Sequence, residues 1–345
     1  PAGDGLRQWP PLNQGYSENF ASLNRNKRSA VLNLKDPQDV ALARRLILEA
    51  DVLVENNRPG VMDRLGLGYA ALSAEKPGLL FCSISAYGQS GPRSSEGGFD
   101  LTIQAAAGVM SVTGEPSGAP VKCGVPLSDF ASGLYAAFSI AAMLVHVRSG
   151  GRGAHIDIPM FGCTLGIAAL QTSEYFGNGR SPVKLGSAHP RNAPYQAFQA
   201  QDGYFAIAAG NHKLWLDVLR VVDLPALAED PRFISTTDRA HNQEALKQLL
   251  EAVFTRQPVA HWIAAFNDAG VPHARINDYA AALSDPQTAH MGWVQPLELP
   301  DGQLTRTFGS PVRLNGKGFP IRRSPPALGQ HSDEIRAEYA QKEVS

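Results

Sequence analysis

The 345-residue chain carries 31 Lys and Arg against 32 Asp and Glu, which gives a formal net charge of −1. This balance excludes the strong basic field typical of nucleic-acid-binding domains and the acidic excess typical of disordered chains. Cys82, Cys123 and Cys163 stand far apart and form no C-x-x-C pair, so we expect a reducing compartment and no structural metal. The length favours about two domains.

Strands and helices are predicted to alternate in the first half of the chain. Residues 1–28 have the composition of a surface loop, a strand is predicted over 29–34, and Asp36-Pro37 opens a predicted helix through residue 50. Further strands are predicted over 51–55, 79–86 and 154–158. The β-α-β order imposes parallel pairing, and ligands of such sheets bind at the carboxyl ends of the strands.

A long apolar segment runs from Phe130 to Val147 and carries no charge before Arg148. Small and polar residues interrupt it, so we predict a buried helix rather than a membrane span. Asp129 stands at the start of this segment. It could cap the helix, or it could act as a nucleophile whose charge the first helical turn stabilises. Both interpretations are compatible with the local pattern.

The second half changes in composition at residue 177. The stretch 177–194 is rich in Gly, Ser, Pro, Arg and Asn, which is typical of a linker. A hairpin is predicted over 195–209, with its turn at Asp202-Gly203. Other predicted elements are helices over 160–176, 212–222, 238–254 and 260–269, a strand over 271–276, mixed strands to 308 and a terminal helix over 332–339.

Several short motifs occur in a fixed order along the chain. They are Asn24-Arg25-Asn26-Lys27-Arg28-Ser29, Leu32-Asn33-Leu34-Lys35, Val54-Glu55-Asn56-Asn57-Arg58-Pro59-Gly60 with Asp63-Arg64-Leu65-Gly66, Ser85-Ala86-Tyr87-Gly88, Gly98-Phe99-Asp100, Asp129, and Gly151-Arg152-Gly153-Ala154-His155-Ile156-Asp157-Ile158. In this order and spacing the set resembles the class III CoA-transferases of the CaiB/BaiF type. That family includes formyl-CoA, carnitine and dicarboxylate CoA-transferases and also contains the α-methylacyl-CoA racemases. The likeness extends over nearly the whole chain.

The resemblance implies an α/β fold with a Rossmann-like large domain and an interlocked homodimer. The large, CoA-binding domain with its parallel sheet would take residues 1–176, the linker and active-site loop 177–194, and a smaller α+β domain 195–309. The segment 310–345 would return to the large domain. The family places a first strand and helix, with part of the CoA site, before the start of this sequence, so we expect the amino end to be missing. We expect a cytoplasmic location, with the mitochondrial matrix as the alternative.

Arg58 and Arg64 follow a predicted strand end on a Pro-Gly turn. Fixed charge and free backbone donors there suit phosphates, although two solvated arginines would give the same pattern. The resemblance implies CoA contacts for Leu32, Asn33, Leu34, Lys35, Asn56, Asn57, Arg58, Arg64, Gly98 and Phe99. Asn57 departs from the aromatic residue that formyl-CoA transferase-like members often carry here.

The resemblance aligns Asp129 with the nucleophilic aspartate of the family and Asp100 with an acidic residue near it. Phe99 stands where the racemases carry a His, and it cannot transfer a proton, so two-base racemisation is not expected. Asp100 could instead cap the helix predicted over 101–110.

Gly186 and His189 lie where the family has a mobile loop that covers the active site. The loop lacks the run of glycines found in formyl-CoA transferases, so oxalate and formate are not favoured as the substrate pair. It is more similar to members that act on dicarboxylic acids such as succinate and glutarate. His189 contacts the acyl substrate in one interpretation and is solvated in the other.

The predicted function is transfer of CoA from an acyl-CoA donor, succinyl-CoA or a similar thioester, to a free carboxylic acid, preferably a dicarboxylate. Asp129 would carry a mixed anhydride and then a CoA thioester. CoA and acyl-CoA would be substrates, and no permanently bound cofactor, metal, nucleic acid or membrane partner is expected. A racemase-like enzyme and a CoA-binding protein without turnover are the alternatives.

Overall fold

The computed structural model describes residues 3–341. The helices over this range are α1 (Glu18–Leu23), α2 (Pro37–Glu49), α3 (Val61–Arg64), α4 (Tyr69–Glu75), α5 (Asp100–Ala106), α6 (Val109–Val112), α7 (Leu127–Arg148), α8 (Met160–Ile167), α9 (Ala169–Asn178), α10 (His212–Val222), α11 (Thr236–His241), α12 (Gln243–Phe254), α13 (Val259–Ala269), α14 (Tyr279–Ser284), α15 (Pro286–Met291) and α16 (Ser332–Gln341). The strands are β1 (Leu12–Asn13), β2 (Tyr16–Ser17), β3 (Val52–Glu55), β4 (Leu80–Ser85), β5 (His155–Pro159), β6 (Tyr195–Gln199), β7 (Tyr204–Ala208), β8 (His273–Arg275), β9 (Val294–Glu298), β10 (Leu304–Phe308), β11 (Arg313–Leu314) and β12 (Lys317–Gly318).

The described chain divides into two compact units, each assembled from separate stretches of sequence. Unit 1 contains the chain up to Ser95, Ala136–Ile158 and the chain from Asp278 onward. Unit 2 contains Glu96–Tyr135 and Pro159–Asn277, so α7 contributes its first residues to unit 2 and the remainder to unit 1. Each predicted domain, with boundaries at residues 176, 194 and 309, is one continuous stretch of sequence. That domain division stays a prediction.

Unit 1 holds the parallel sheet. β3, β4 and β5 lie in that order, and β3 pairs with β4 in parallel from Val52 opposite Leu80 to Glu55 opposite Ser83. β4 is buried along most of its length, as expected for a strand covered on both faces. The predicted strands over 51–55, 79–86 and 154–158 are confirmed, and so is their membership of a mixed α/β fold with a parallel pair.

The helix before β3 starts as its sequence predicts. The Asp36 side chain accepts a hydrogen bond of 2.9 Å from the N–H of Gln38, and Pro37 occupies the first turn, where its missing N–H costs no helical bond. α2 ends at Glu49, directly before the turn into β3. The turn that carries Arg58 then follows the carboxyl end of β3.

The strand predicted over 29–34 is wrong. The N–H of Ser29 donates to Nδ1 of His331 at 3.2 Å, and the N–H of His331 returns a bond of 2.9 Å to the Ser29 carbonyl. The N–H of Val31 donates to Oγ of Ser332 at 3.0 Å. His331 and Ser332 of the C-terminal segment therefore form the hydrogen bonds with this backbone that a neighbouring strand would otherwise form. The preceding residues are also more ordered than a loop, since they contain the β1–β2 hairpin and α1.

The core of unit 2 is aromatic. β6 and β7 form the predicted antiparallel hairpin around Asp202-Gly203, and β8 pairs with β7. Phe198, Phe205 and Phe254 are fully buried between this sheet and the helices, with the last two rings edge to face at 5.0 Å. Each buried ring contributes about 1.5–3 kcal/mol relative to an exposed one. This core anchors Tyr195, where the linker ends.

Three predicted helices are interrupted. The helix predicted over 238–254 breaks at Asn242 into α11 and α12. The helix predicted over 101–110 stops at Ala106, and α6 restarts after Gly108, which has a φ of +82°. The helix predicted over 160–176 breaks at Ala168 into α8 and α9. The segment 177–194 forms no regular element beyond the last residues of α9, as its composition predicts.

The long apolar helix α7 differs from its prediction in start and in burial. It begins at Leu127, three residues before Phe130. Leu134 is 71% exposed and Phe138 74% exposed, so the expected buried helix is wrong for the isolated chain. Among the described residues, α7 is the helix whose length and apolar composition would allow a membrane crossing, which one helix of this kind supports only weakly.

Candidate active site

Asp129 is the third residue of α7 and lies in its first turn. The described part of the chain gives its carboxylate no hydrogen-bond or ion-pair partner. Partial burial, and then the neighbouring charge of Asp100, raise the pKa of the Asp129 carboxyl, although the residue as a whole is exposed. The helix N-terminus acts in the opposite direction, because it favours the charged form of the carboxylate. A carboxylate with free lone pairs and raised basicity can act as a nucleophile.

Asp100 is engaged through both of its carboxylate oxygens. Oδ1 accepts a hydrogen bond of 2.9 Å from the N–H of Ser128, and Oδ2 accepts one of 2.8 Å from the side-chain amide of Gln104. Asp100 is not the N-cap of α5, because that helix begins at Asp100 itself and the preceding Phe99 takes the cap position. It instead satisfies a free N–H in the first turn of α7.

Gln104 was not identified from the sequence, yet it is fully buried beside Asp100. Its Oε1 accepts a hydrogen bond of 2.9 Å from the N–H of Cys123, in the loop before α7. A polar residue four positions after Asp100 in an otherwise apolar helical pattern is the signal that could have marked it.

Ser128 connects the same turn to α8. Its side-chain hydroxyl accepts a bond of 2.9 Å from the hydroxyl of Thr164, and its carbonyl accepts one of 2.7 Å from the Ser132 hydroxyl. All three residues are buried. The residue directly before Asp129 is therefore held from α5, from α7 itself and from α8.

Gly98 and Phe99 precede Asp100 in unit 2. Phe99 is 83% exposed, and its side chain offers no group that could donate or accept a proton. The N–H of Phe99 donates to Oγ1 of Thr102 at 3.0 Å, which fixes the start of α5. Exposed as it is, Phe99 presents an apolar surface next to the acidic pair.

Gly186 lies where only glycine fits. Its φ is +60°, its N–H donates to the Gly114 carbonyl at 3.0 Å, and a Cβ there would come within 3.0 Å of both Glu115 carboxylate oxygens. The loop is therefore docked against the 114–118 turn of the same unit.

His189 fastens the end of this loop. Its Nδ1 accepts hydrogen bonds from the N–H groups of Arg191 at 3.2 Å and Asn192 at 3.1 Å, and its ring lies 4.9 Å from that of Tyr195. Burial and the Arg191 charge lower the pKa of the imidazole. An accepting Nδ1 places the proton on Nε2, which leaves a neutral ring with one donor to offer.

The predicted CoA residues after β3 lie in unit 1, and most of them are exposed. The Asn56 amide donates to the Ile84 carbonyl at 2.6 Å, and the N–H of Asn57 donates to the Glu55 carboxylate at 2.7 Å. These bonds fix the turn but leave the Arg58 and Arg64 guanidinium groups without a protein partner among the described residues. Arg58 lines a cavity of about 220 Å³.

The other predicted CoA segment, Leu32, Asn33, Leu34 and Lys35, precedes α2. The N–H of Asn33 donates to Oδ2 of Asp39 at 2.6 Å, while Arg336 from α16 forms an ion pair of 2.7 Å with Oδ1. These bonds lower the pKa of the Asp39 carboxyl. Leu32 packs on the cluster that also receives Met62 from the Arg58 side, so the two predicted CoA segments share one hydrophobic support.

No group of three or more His, Cys, Asp or Glu side chains in residues 3–341 is placed to hold a metal ion. Within unit 2 the structure brings together Asp129, Asp100 and the residues that orient them. The arrangement offers one free carboxylate, one engaged carboxylate and an apolar Phe99 in place of a proton carrier, which suits nucleophilic exchange better than proton transfer.

Comparison with known proteins agrees with this chemistry. The chain matches the family model "CoA-transferase family III" over residues 1–332. It is 39% identical to the acetyl-CoA:oxalate CoA-transferase of Acetobacter aceti, over 99% of this chain and 87% of the relative. It is 35% identical to the human succinyl-CoA:glutarate CoA-transferase, over 98% of this chain and 77% of the relative.

A crystal structure of a CaiB/BaiF family protein from Brucella suis is 36% identical, with a TM-score of 0.84, over 98% of this chain and 89% of that one. The chain belongs to CoA-transferase family III, and it is a CoA-transferase that uses CoA thioesters as substrates. The family resemblance derived from the motifs is confirmed.

Proposed function

We propose that this enzyme transfers CoA between an acyl-CoA donor, succinyl-CoA or a similar thioester, and a dicarboxylic acid, with Asp129 as the covalent carrier. The observation that carries the proposal is the free Asp129 carboxylate in the first turn of α7, beside an Asp100 whose oxygens are both occupied. The dicarboxylate class is supported by two relatives, one named for oxalate and one for glutarate.

Each step exchanges a carboxylate and a thiolate and needs no proton. An Asp129 oxygen attacks the donor carbonyl, the C–S bond breaks, and CoA leaves as a thiolate, which gives a mixed anhydride. The thiolate then attacks the Asp129 carbonyl and releases the donor acid. The acceptor carboxylate attacks this aspartyl thioester, and the returning thiolate takes the acceptor acyl group and frees Asp129.

A reaction without proton transfer is consistent with the chemistry of residues 99 and 100. Phe99 has no group that carries a proton, and both oxygens of Asp100 accept hydrogen bonds from the protein. A racemase needs an acid and a base on opposite faces of the α-carbon, and Phe99 offers neither. The same steps fail if water reaches the anhydride or the thioester, so a cover is required. The loop that contains Gly186 and His189 is the element we propose for this cover.

CoA would lie on unit 1 residues, with no cofactor bound permanently. Arg58 and Arg64 offer guanidinium groups that no described carboxylate neutralises, and Lys35 with Asn33 lies on the segment that Asp39 holds. The proposed unit 1 set is completed by Asn56, Asn57, Leu32 and Leu34, and Gly98 and Phe99 are proposed as further contacts on unit 2. Cys82, Cys123 and Cys163 form no disulfide within the described residues, which fits a reducing compartment, cytoplasm or mitochondrial matrix.

The assembly we propose is an interlocked homodimer of Rossmann-like large domains with smaller α+β domains. Its support is the apolar surface of α7, of which Phe130, Leu134 and Phe138 expose more than half their area in the isolated chain. Exposed apolar area on this scale in an enzyme marks an interaction surface.

A substrate screen tests the proposal. The enzyme is incubated with succinyl-CoA or acetyl-CoA and with oxalate, glutarate, succinate or a monocarboxylate of equal length, and new thioesters are measured by mass spectrometry. We expect at least one dicarboxylate to be preferred over its matched monocarboxylate by about tenfold or more, the gain typical of one charge-assisted hydrogen bond. Equal use of both acids would overturn the substrate class, and full activity of Asp129→Ala would overturn the mechanism.

A further inference from the structure

We propose that Gln104 is a positioning residue and that, with Asp100, it forms a hydrogen-bonded clamp that sets the position of Asp129. In this clamp Asp100 acts only as a hydrogen-bond acceptor and transfers no proton. The inference rests on the proposed function, because it takes Asp129 as the nucleophile.

The clamp is a chain of three hydrogen bonds in which every donor and acceptor is fixed, and Asp100 accepts at its end from both sides. The N–H of Cys123 donates to Oε1 of Gln104 at 2.9 Å, and this bond fixes which end of the amide faces the loop. The Gln104 Nε2 group is thereby turned toward Asp100 and donates to its Oδ2 at 2.8 Å. Oδ1 of Asp100 then accepts the N–H of Ser128 at 2.9 Å.

The position of the clamp makes it specific to Asp129. Ser128 directly precedes Asp129, so the clamp holds the backbone that carries the nucleophile, and Cys123 lies in the loop that leads into α7. Gln104 has no solvent exposure, so water cannot replace a hydrogen bond that it loses. A lost bond must therefore move the turn or leave a buried group unsatisfied.

The direction of these bonds also limits Asp100. The hydrogen-bond partners of its two oxygens are nitrogen donors, an amide NH₂ on one side and a backbone N–H on the other. Both Asp100 oxygens are therefore occupied by protein donors. Its contribution to the reaction passes through the geometry of Ser128 and Asp129.

Exchanging the hydrogen-bond donor and acceptor between residues 100 and 104 tests whether Asp100 acts through positioning or through charge and proton transfer. Asp100→Asn makes an NH₂ group face the Gln104 NH₂ group, and Gln104→Glu makes a carboxylate face the Asp100 carboxylate, so either change alone breaks the central bond. The double variant Asp100→Asn/Gln104→Glu restores all three bonds. In it the new amide at position 100 donates to the new carboxylate at position 104, while each side chain still accepts its backbone N–H. The total charge is that of the wild type.

We expect each single variant to lower kcat by about tenfold or more, since small displacements of reacting groups have costs of this order. The KM for acyl-CoA should change less than kcat, because Arg58 and Arg64, the charged residues of the proposed CoA set, lie on other elements. The double variant should recover kcat to within about threefold of wild type, a coupling that a double-mutant cycle resolves. Thr288→Val is the matched control: it removes a buried hydroxyl bond to the Ala282 carbonyl in unit 1, leaves the clamp intact, and should keep kcat.

The clamp would be overturned if the kcat of the double variant, relative to wild type, were no higher than the product of the relative kcat values of the two single variants. Charge or proton transfer at residue 100 would then be required. If a single variant does not fold, the melting temperature and kcat of the double variant decide: a recovered fold without recovered kcat also overturns it. Asp129→Ala is measured in parallel. Its retained activity would remove the proposed function, whereas an inactive Asp129→Ala beside an unrecovered double variant removes the clamp alone.

Discussion

Asp129 lies where its own charge costs folding free energy. Burial and the Asp100 charge raise the pKa of its carboxyl above the ordinary value, so the folded state binds its proton more tightly than the unfolded state does. The folded state is therefore penalised once the pH rises above the ordinary carboxyl pKa, and the penalty is complete above the raised, folded-state pKa. Groups that are active at a cost to stability are typical of enzyme sites.

Asp129→Asn should abolish transfer and raise the melting temperature at neutral pH. The gain should vanish as the pH falls below the ordinary aspartate pKa, where both states of the wild type are protonated. Asp217→Asn is the control of opposite sign, because Lys213 lowers the pKa of that carboxyl and its loss should lower the melting temperature. A wild type more stable than Asp129→Asn at neutral pH would contradict this account.

We propose that the His189 ring fastens its loop through Nδ1 and donates its Nε2–H to the acceptor acid, and substitution can separate these two functions. Asn at position 189 keeps an acceptor for the N–H groups of Arg191 and Asn192 but has no donor where Nε2–H now lies. We expect His189→Asn to raise the KM for the carboxylate acceptor while the loop keeps its protection from hydrogen exchange. His189→Ala should lose both. Wild-type KM in His189→Asn would mean that the ring only fastens the loop.

The C-terminal helix α16 supports one of the predicted CoA segments. Arg336 pairs with Asp39 at 2.7 Å, and Asp39 accepts the N–H of Asn33 with its other oxygen. The hydrogen bonds from Arg336 and Asn33 lower the pKa of the Asp39 carboxyl. A group with a lowered folded pKa contributes stability above its unfolded pKa and loses it as the pH falls through the folded value.

Arg336→Met should therefore lower the melting temperature at neutral pH. The difference from wild type should begin to close below the ordinary aspartate pKa and should vanish once the pH falls through the lowered, folded-state pKa of Asp39. The KM for acyl-CoA should rise because the 32–35 segment loses its support. Arg313→Met, on an exposed strand of the same unit, is the control and should change neither quantity. A pH-independent difference would show that Arg336 stabilises α16 without acting through Asp39.

Two element boundaries followed a local signal in the sequence. Asp36-Pro37 marked α2, and Asp202-Gly203 marked the β6–β7 hairpin. The segment 29–34 failed because its weak alternation could not reveal that His331 and Ser332 would take its hydrogen bonds from about 300 residues away in sequence. Tertiary pairing, rather than propensity, decided that segment.

The sequence likewise indicated some residues of the candidate site and not others. Motifs in register predicted Asp129 and Asp100 as site residues. The family that these motifs indicate is confirmed, and the roles of the two residues stay a prediction. Gln104 was not identified. Its spacing from Asp100 could have marked it as a neighbour of that residue, but not as the acceptor for a loop 19 residues later. A network formed across α5, α7 and their loop exists only in three dimensions.

At the scale of the whole molecule, α7 is the element that the single chain leaves incomplete. Its sequence predicts a buried helix, yet Leu134 and Phe138 are largely exposed. The sequence indicates that α7 must be covered but not by what, because apolar composition is the same for a core and for an interface. A second copy of the chain is the partner we propose.

Phe138→Glu should shift the enzyme from dimer to monomer in analytical ultracentrifugation, because a charge would have to be buried in the interface. Leu216→Glu makes the same kind of change on the exposed face of α10 and should leave the oligomeric state unchanged. A dimeric Phe138→Glu variant with a wild-type dissociation constant would exclude α7 from the interface.

The most direct test is to find the acyl carrier itself. The enzyme is mixed with an acyl-CoA donor and no acceptor, quenched with hydroxylamine, digested and mapped by mass spectrometry. The covalent mechanism predicts a hydroxamate at Asp129, absent when Asp129 is replaced by Ala. An unmodified Asp129 in enzyme that is turning over, or a hydroxamate on another carboxylate, would contradict it.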